Sequence, residues 1–123
     1  MKLQNIEEEY RKRFSSETLP YIKCRNCLHI FYYPRNVCPR CLSENLEVSQ
    51  SLGIGTVYSI TKIFRKDMEP VNYAIIEMDE GFRLYSIIVG CNDPSIGMKV
   101  KLKMQEVNGS KFPFFEPLTQ NQP

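Results

Sequence analysis

The sequence predicts a mainly β protein with one N-terminal helix, in a chain of 123 residues. Three observations predict this fold class. The first sixteen residues carry apolar side chains at helical spacing. Two Cys-x-x-Cys motifs follow, between residues 24 and 41. Beyond residue 53 the chain becomes a succession of short runs rich in β-branched and aromatic residues, separated by turn residues.

The predicted helix covers residues 2–16, and its apolar residues share one face: Leu3, Ile6, Tyr10 and Phe14. Three acid–base pairs at i,i+4 spacing have the acid nearer the N-terminus, which is the favourable orientation: Glu7–Arg11, Glu8–Lys12 and Glu9–Arg13. Leu19-Pro20 is expected to break the helix, because proline lacks a backbone donor. The apolar stripe must be covered either by the rest of this chain or by a partner protein.

The cysteine segment has the spacing C-x2-C-x10-C-x2-C, and its four candidate metal ligands are Cys24, Cys27, Cys38 and Cys41. In a reducing compartment, paired Cys-x-x-Cys motifs are more often metal sites than disulfides. Four thiolates complete the tetrahedral coordination of Zn²⁺. Because this leaves no position for water or substrate, the zinc is expected to be structural.

Iron is the alternative metal, since a rubredoxin-type site has the same four ligands. Such sites usually carry a glycine after each motif, whereas this chain has Leu28 and Leu42 there, which favours zinc. The ten residues between the motifs have room for a β-hairpin, with Ile30–Tyr32 as one strand. His29 is the only histidine, and four thiolates leave it no place as a ligand.

Five runs in the C-terminal part are predicted strands: 53–64, 72–78, 82–90, 98–104 and 111–118. They predict a small antiparallel barrel or sandwich. Turn residues separate them: Lys66-Asp67, Asp79-Glu80-Gly81, Asn92-Asp93-Pro94 and Asn108-Gly109. The run 98–104 alternates apolar residues with three lysines, which are expected to form a solvated strand face: Lys99, Lys101 and Lys103. The carboxylates Glu77, Asp79 and Glu80 are expected to be solvated at a hairpin tip.

The composition argues against several functional classes. No apolar run approaches the ~20 residues that span a bilayer, and the charged N-terminal segment lacks the core of a signal peptide, so we expect a cytoplasmic protein without membrane contact. The formal net charge of +2 falls to about zero once four thiolates bind one Zn²⁺, which argues against nucleic-acid binding. No activated nucleophile or phosphate-binding loop is recognisable, and Cys91 is expected to be a small buried apolar side chain. The chain is therefore predicted not to be an enzyme.

Several motifs occur together in this order: Cys24-x-x-Cys27, then Tyr33-Pro34-Arg35 ahead of Cys38-Pro39-x-Cys41, then Gly53-x-Gly55-Thr56-Val57-Tyr58-Ser59-x-Thr61, the run from Ala74 to Leu84, and Ile96-Gly97-Met98-x-Val100. With them, nearly the whole chain resembles the thiolase-associated zinc-ribbon/OB-fold family, catalogued as domain of unknown function thirty-five. The resemblance implies an N-terminal helix at 1–20, a rubredoxin-like zinc ribbon at 21–48 and a five-stranded OB-fold barrel at 49–123. The chain departs from many ribbons by lacking a glycine after Cys27 and Cys41.

The resemblance also implies a function. Family members accompany thiolases and related condensing enzymes, including acetoacetyl-CoA thiolase and HMG-CoA synthase, and others accompany aldolases of steroid side-chain breakdown. By resemblance, this chain is a non-catalytic accessory or scaffold subunit. It would bind acyl-CoA and a thiolase-fold partner, with a structural Zn²⁺.

Acyl-CoA carries phosphate charges and a long arm, so cations beside apolar surface suit it. The candidate contacts lie near the ribbon–barrel junction or on the first long strand: Tyr33, Arg35, Lys62, Phe64 and Arg65. The alternative function is a nucleic-acid-binding module, because OB barrels stack bases on aromatic side chains. Its candidate stacking residues are Tyr58, Phe64, Tyr73, Phe82 and Tyr85. The near-zero charge of the metal-bound form argues against it.

Overall fold

A computed structural model describes residues 2–118 of the chain. One helix, α1 (Leu3–Ser15), precedes eight strands: β1 (Leu19–Cys24), β2 (Ile30–Phe31), β3 (Leu46–Ser51), β4 (Ile54–Arg65), β5 (Met68–Met78), β6 (Arg83–Ile88), β7 (Lys99–Val107) and β8 (Ser110–Pro117). The first three strands form one sheet, and the last five form a closed barrel. The predicted mainly β fold with an N-terminal helix is confirmed.

Helix α1 buries Ile6 and Tyr10 against the ribbon sheet, so its apolar stripe packs on its own chain. The helix ends before the proline expected to break it. Glu17 adopts a left-handed conformation with φ 61°, and Pro20 lies inside β1. Among the described residues, no helix has the length and apolar character needed to span a membrane.

The ribbon sheet has the order β2-β1-β3, with both pairings antiparallel. The predicted strand at Ile30–Tyr32 is present as β2, but its hairpin partner is not in the segment between the two cysteine motifs. It is β1, upstream of the first motif, where Ile22 pairs with Phe31. The sequence reasoning missed β1 and β3 because both have few β-branched residues. Strand β3 runs across the expected boundary between residues 48 and 49.

The barrel has the order β4-β5-β6-β8-β7 and closes where β7 pairs with β4. Its core consists of buried side chains from all five strands, among them Val57, Ile76, Leu84, Val100 and Phe115. A glycine is required at position 55, where a Cβ atom would lie 2.8 Å from Ile76 Cγ2 and 2.9 Å from the Glu77 carbonyl oxygen. Of the predicted antiparallel barrel or sandwich, the structure is the barrel, and it differs from the prediction in one parallel pairing, between β6 and β8.

Strand β4 has the length of its predicted strand, but β5 begins at Met68, before the predicted start at residue 72, so the β4–β5 hairpin extends beyond the barrel. Strand β6 pairs with β5 only from Asn72 to Glu77, so within residues 2–118 no third strand pairs with the tip of the hairpin. We call residues 62–71 the hairpin arm. Its outermost residues, from Phe64 to Pro70, are all exposed.

An aromatic cluster joins the ribbon to the barrel. Tyr21 and Tyr32 both stack on Phe82, with ring centroids 4.9 Å and 6.0 Å away. The Tyr10 hydroxyl donates a hydrogen bond to the Tyr32 carbonyl oxygen. Burial raises the pKa of the Tyr10 hydroxyl well above its usual range, so it stays protonated as the donor.

The hairpin-tip carboxylates expected to be solvated are instead paired. Glu80 accepts hydrogen bonds from Ser51 Oγ and the Leu52 backbone amide, each at 2.8 Å, and ties the barrel to β3. Asp79 contacts Lys99 at 3.1 Å. The alternation of the predicted lysine face on β7 is confirmed, since all three lysines are exposed. Cys91 is half-buried and packs against the barrel core.

Candidate metal centre and ribbon–barrel cleft

The structure brings the four predicted metal ligands together. The Sγ atoms of Cys24, Cys27, Cys38 and Cys41 all lie within 4.8 Å of one another. Two of the sulfur–sulfur distances, Cys24–Cys41 and Cys27–Cys38, are 3.6 Å. Tetrahedral Zn–S bonds of about 2.3 Å require sulfurs about 3.8 Å apart, so the four thiols match a zinc site closely. Within residues 2–118 this is the one cluster of three or more potential ligands of this kind.

Two cysteine knuckles, each a Cys-x-x-Cys turn, hold the sulfurs in place. In each knuckle a backbone amide approaches the first sulfur: Cys27 N lies 3.5 Å from Cys24 Sγ, and Arg40 N lies 3.4 Å from Cys38 Sγ. The amide of the residue after each knuckle donates back to the carbonyl of the first cysteine at 2.9 Å. Both knuckles therefore share the same backbone turn from the first cysteine to the residue after the second.

That geometry forces Leu28 and Leu42 into the left-handed region, with φ 67° and 65°. Glycine adopts this conformation without a steric penalty, whereas leucine does not. Both side chains are also exposed, to 65% and 71%. The absent glycines thus leave the knuckle backbone unchanged, and the leucines carry its strain.

The surroundings of the sulfurs come from the same segment. Asn26 Nδ2 donates to Cys41 Sγ at 3.6 Å. This hydrogen bond is the main cause that lowers the pKa of the Cys41 thiol to about 6. His29 is no ligand here: its carbonyl accepts from Cys24 N at 2.8 Å, and its ring stacks on Phe31 with centroids 5.9 Å apart.

A cleft of about 460 Å³ lies beside the knuckles, between the ribbon and the barrel. Its walls are largely aromatic and include Phe31, Tyr33 and Phe82. Arg35 also lines it and makes no hydrogen bond or ion pair with any described residue. The cleft therefore combines flat apolar walls with an unneutralised cation, which suits a ligand with an anionic group and an extended apolar part.

The five predicted acyl-CoA contacts do not meet at one place. Tyr33 and Arg35 line the cleft. Lys62 is held by Asp93 Oδ1 and the Asn92 carbonyl oxygen, both at 2.9 Å, beside a second cavity of about 840 Å³. Phe64 and Arg65 lie on the exposed hairpin arm.

The strand register gives the distance between the two cleft residues, Tyr33 and Arg35, and the two residues of the hairpin arm, Phe64 and Arg65. Tyr33 receives a hydrogen bond from the Tyr85 amide at 2.9 Å. Ile75 pairs with Tyr85 on one side and with Ser59 on the other. Phe64 lies five residues further along β4 than Ser59, which is about 16 Å of extended strand.

Sequence reasoning missed two charged residues that line the cleft, Glu77 and Arg83. They form an ion pair at 2.8 Å across the β5–β6 hairpin, and the Arg83 guanidinium carbon lies 3.8 Å from the Tyr58 ring centroid. The signal was present in the sequence. The turn at Asp79-Glu80-Gly81 places position 77 opposite position 83, and opposite charges favour such cross-strand pairs.

A four-thiolate ribbon joined to a five-stranded closed barrel defines the class of zinc-ribbon/OB-fold proteins. Two family descriptions match this chain in that order. Residues 13–47 match "ChsH2, rubredoxin-like zinc ribbon domain", and residues 49–105 match "ChsH2, C-terminal OB-fold domain". Together with the relatives described next, these matches show that the chain belongs to the DUF35 family.

Two archaeal relatives, both named "DUF35 domain-containing scaffold protein", are 34% identical to this chain. In Methanocaldococcus jannaschii the match spans 94 residues, 70% of this chain and 67% of the relative. In Methanothermobacter thermautotrophicus it spans 88 residues, 67% of this chain and 66% of the relative.

Two solved structures also match. A chain of the "Ltp2-ChsH2(DUF35) aldolase" has a TM-score of 0.81 and 26% identity, covering 92% of this chain and 94% of that one. A Sulfolobus solfataricus protein of unknown function from the DUF35 family has a TM-score of 0.68 and 22% identity, covering 89% and 83%. The second likeness concerns the fold alone.

Proposed function

We propose that this protein is a non-catalytic accessory subunit of a cytoplasmic enzyme complex. It binds acyl-CoA and a thiolase-fold partner of the acetoacetyl-CoA thiolase or HMG-CoA synthase type. The observation that carries the proposal is the nearly full-length likeness to a chain of the Ltp2-ChsH2(DUF35) aldolase. The scaffold names of the two archaeal relatives point the same way.

The metal has a structural role in this proposal. Zn²⁺ bound by Cys24, Cys27, Cys38 and Cys41 keeps no open position for substrate. The ion joins β1, which ends at Cys24, to the loop that carries Tyr33 and Arg35. Zinc thereby fixes the ribbon wall of the cleft and contributes to folding free energy.

Acyl-CoA binding is supported by the cleft. Arg35 offers a phosphate a guanidinium that no described residue pairs with, and the aromatic walls offer apolar surface to the pantetheine arm. Tyr33 and Arg35 are the contacts that the cleft favours. A ligand that also reached Phe64 and Arg65 would have to lie along about 16 Å of strand β4.

Arg35 and Arg40 provide a matched test of this site. Both are exposed arginines of the ribbon, but only Arg35 lines the cleft. Calorimetric titration with acetoacetyl-CoA should show about 10-fold weaker binding for Arg35→Ala, the loss of one charge-assisted hydrogen bond. Arg40→Ala should bind as the wild type does. Equal affinities in all three proteins would show that Arg35 does not contact the bound acyl-CoA.

The partner is tested by co-expression with a thiolase-fold condensing enzyme. We expect the two chains to elute together in gel filtration, and the enzyme's activity to depend on this chain. Separate elution with unchanged enzyme activity would refute the accessory role.

The rival function is nucleic-acid binding by the barrel, which exposes aromatic side chains such as Tyr58 and Tyr85. Stacking of bases on such residues requires cations nearby to hold the phosphates. Arg83, the cation stacked on Tyr58, is already paired with Glu77. Salt-dependent retention on single-stranded DNA or RNA, without acyl-CoA binding, would favour the rival.

A further inference from the structure

We propose that the outer face of the β4–β5–β6 sheet is the surface that docks on the partner enzyme. This inference rests on the proposed function and gives it a location. We define the outer sheet face by six outward side chains: Ile63, Val71, Tyr73, Ile75, Tyr85 and Ile87.

The strand register makes this face continuous. Ile75 pairs with Tyr85, and Tyr73 pairs with Ile87 in the next row. Val71 pairs with Ile63 in the row after that, where the hairpin arm begins. The alternate residues of β5, which include Asn72, Ala74 and Ile76, are buried inside the barrel, so the six residues lie on the opposite side of the sheet.

The face is apolar and uncharged. Ser59, paired with Ile75, and Thr61, paired with Tyr73, add one uncharged hydroxyl group each to two of its rows. The charges at its edge, Arg83 and Glu77, neutralise each other at 2.8 Å. An apolar surface that contains tyrosine side chains and few charges is typical of the buried centre of a protein–protein interface. A polyanion would find no free cation in these rows, so a neutral, apolar protein surface is the occupant that complements the face.

The size of the face indicates what kind of protein covers it. Three strands that are paired over about six residues give a footprint of about 300 Å², comparable with the largest apolar patch of an ordinary monomer, which is often functional. A stable interface buries about 800 Å² on each partner, and obligate homodimers bury more. The face is therefore too small to hold two copies of this chain together, but it suits the centre of a larger footprint.

The surroundings of the face can supply the rest of that footprint. The hairpin arm continues the face at one end and exposes Phe64 and Met68. At the other end, Glu77 and Arg83 belong both to the edge of the face and to the lining of the cleft. A ligand in the cleft would consequently lie at the rim of the docked partner.

Aspartate substitutions on the face test the proposal. Tyr85 is 73% exposed, and Thr61 is also exposed, so Tyr85→Asp and Thr61→Asp should leave the fold intact. Leu52→Asp is the matched control, because Leu52 is 85% exposed in the turn between β3 and β4, outside the strand rows that form the face. Zinc content and melting temperature, compared with the wild type, verify that each variant is folded.

Affinity for the co-expressed condensing enzyme is then measured by biolayer interferometry. A charge buried at an interface centre should weaken binding by about 30-fold or more in each face variant. The Leu52→Asp control should stay within about twofold of the wild type.

The outcomes separate the two proposals. If the wild type does not bind the enzyme, both the proposed function and the proposed docking face are refuted. If the wild type binds and both face variants bind equally well, only the docking face is overturned. A wild-type dimer that dissociates in Tyr85→Asp, or retention on single-stranded DNA that this variant loses, would assign the face to another occupant and also overturn the inference.

Discussion

The strained leucines after the two knuckles allow a stability prediction that runs opposite to the usual rule for glycine. We predict that Leu28→Gly and Leu42→Gly each stabilise the protein. Both positions have a left-handed backbone, with φ 67° and 65°. Such a conformation costs a residue with a Cβ atom about 1–2 kcal/mol. Because both side chains are mostly exposed, their removal sacrifices little buried apolar area.

The opposing effect is the greater backbone entropy of glycine in the unfolded chain, about 0.5–1 kcal/mol. The net gain is therefore about 0.5–1 kcal/mol for each substitution and about 1–2 kcal/mol for the pair, since the knuckles are separate turns. Guanidinium unfolding of the zinc-loaded protein measures this directly. A zinc competition assay should show apparent binding that is about 5- to 30-fold tighter for the double variant, because zinc binding is coupled to ribbon folding.

Leu52→Gly is the matched control. Leu52 is an exposed leucine in a turn and does not belong to the described non-glycine residues with positive φ. The same substitution there should destabilise by about 0.5–1 kcal/mol. If Leu28→Gly and Leu42→Gly were no more stable than Leu52→Gly, backbone strain at the two leucines would not outweigh the entropy of glycine, and the reasoning would be refuted.

Three further predictions follow from the packing. Chelation of the metal, or Cys38→Ser, should unfold the ribbon and broaden its amide NMR signals, because removal of one ligand of a structural zinc forfeits folding free energy. Amide signals that kept their chemical-shift dispersion would contradict a structural role of the metal. Gly55→Ala should lower the free energy of unfolding by about 1–3 kcal/mol, since the new methyl would overlap Ile76 Cγ2 and the backbone of β5; an unchanged denaturation midpoint would refute this. Burial raises the pKa of Tyr10, so its contribution to stability is complete below about pH 10, where the unfolded tyrosine titrates, and is lost as the pH rises further. Tyr10→Phe should lose less stability than the wild type between pH 8 and pH 11, and an equal loss would rule out Tyr10 as the group responsible.

The barrel was predictable because its strands carry strong local signals. The turn at Asn108-Gly109, with φ 53° and 83°, is the hairpin type that its residues favour, and the lysines of β7 mark the alternation. Strand β1 had no such signal. Its short sequence begins with Leu19-Pro20 and is defined by pairing with β2 and β3, a contact that depends on tertiary structure.

The clustering of the four cysteines followed from their spacing alone, but the set of residues that line the cleft did not. Tyr33 and Arg35 were placed correctly beside the junction because they lie within the cysteine segment. Phe64 and Arg65 were grouped with them because the sequence does not show which end of the long first barrel strand adjoins the ribbon, and β4 carries both residues onto the hairpin arm. Glu77 and Arg83 were missed because their pairing needs the register of the β5–β6 hairpin.

The hydrogen bond between the Tyr85 amide and the Tyr33 hydroxyl has a consequence for any attempt to divide this protein. Strand β6 pairs with β8 at one position, Ile88 with Phe115. Most backbone groups on this edge of β6, the edge that faces away from β5, therefore need hydrogen-bond partners other than β8. Tyr33, a residue of the cysteine segment, provides one of them. A barrel expressed without its ribbon would expose an unpaired strand edge, which invites aggregation. A chimera of two relatives should therefore fold well only when Tyr33 and the β6 edge come from the same relative.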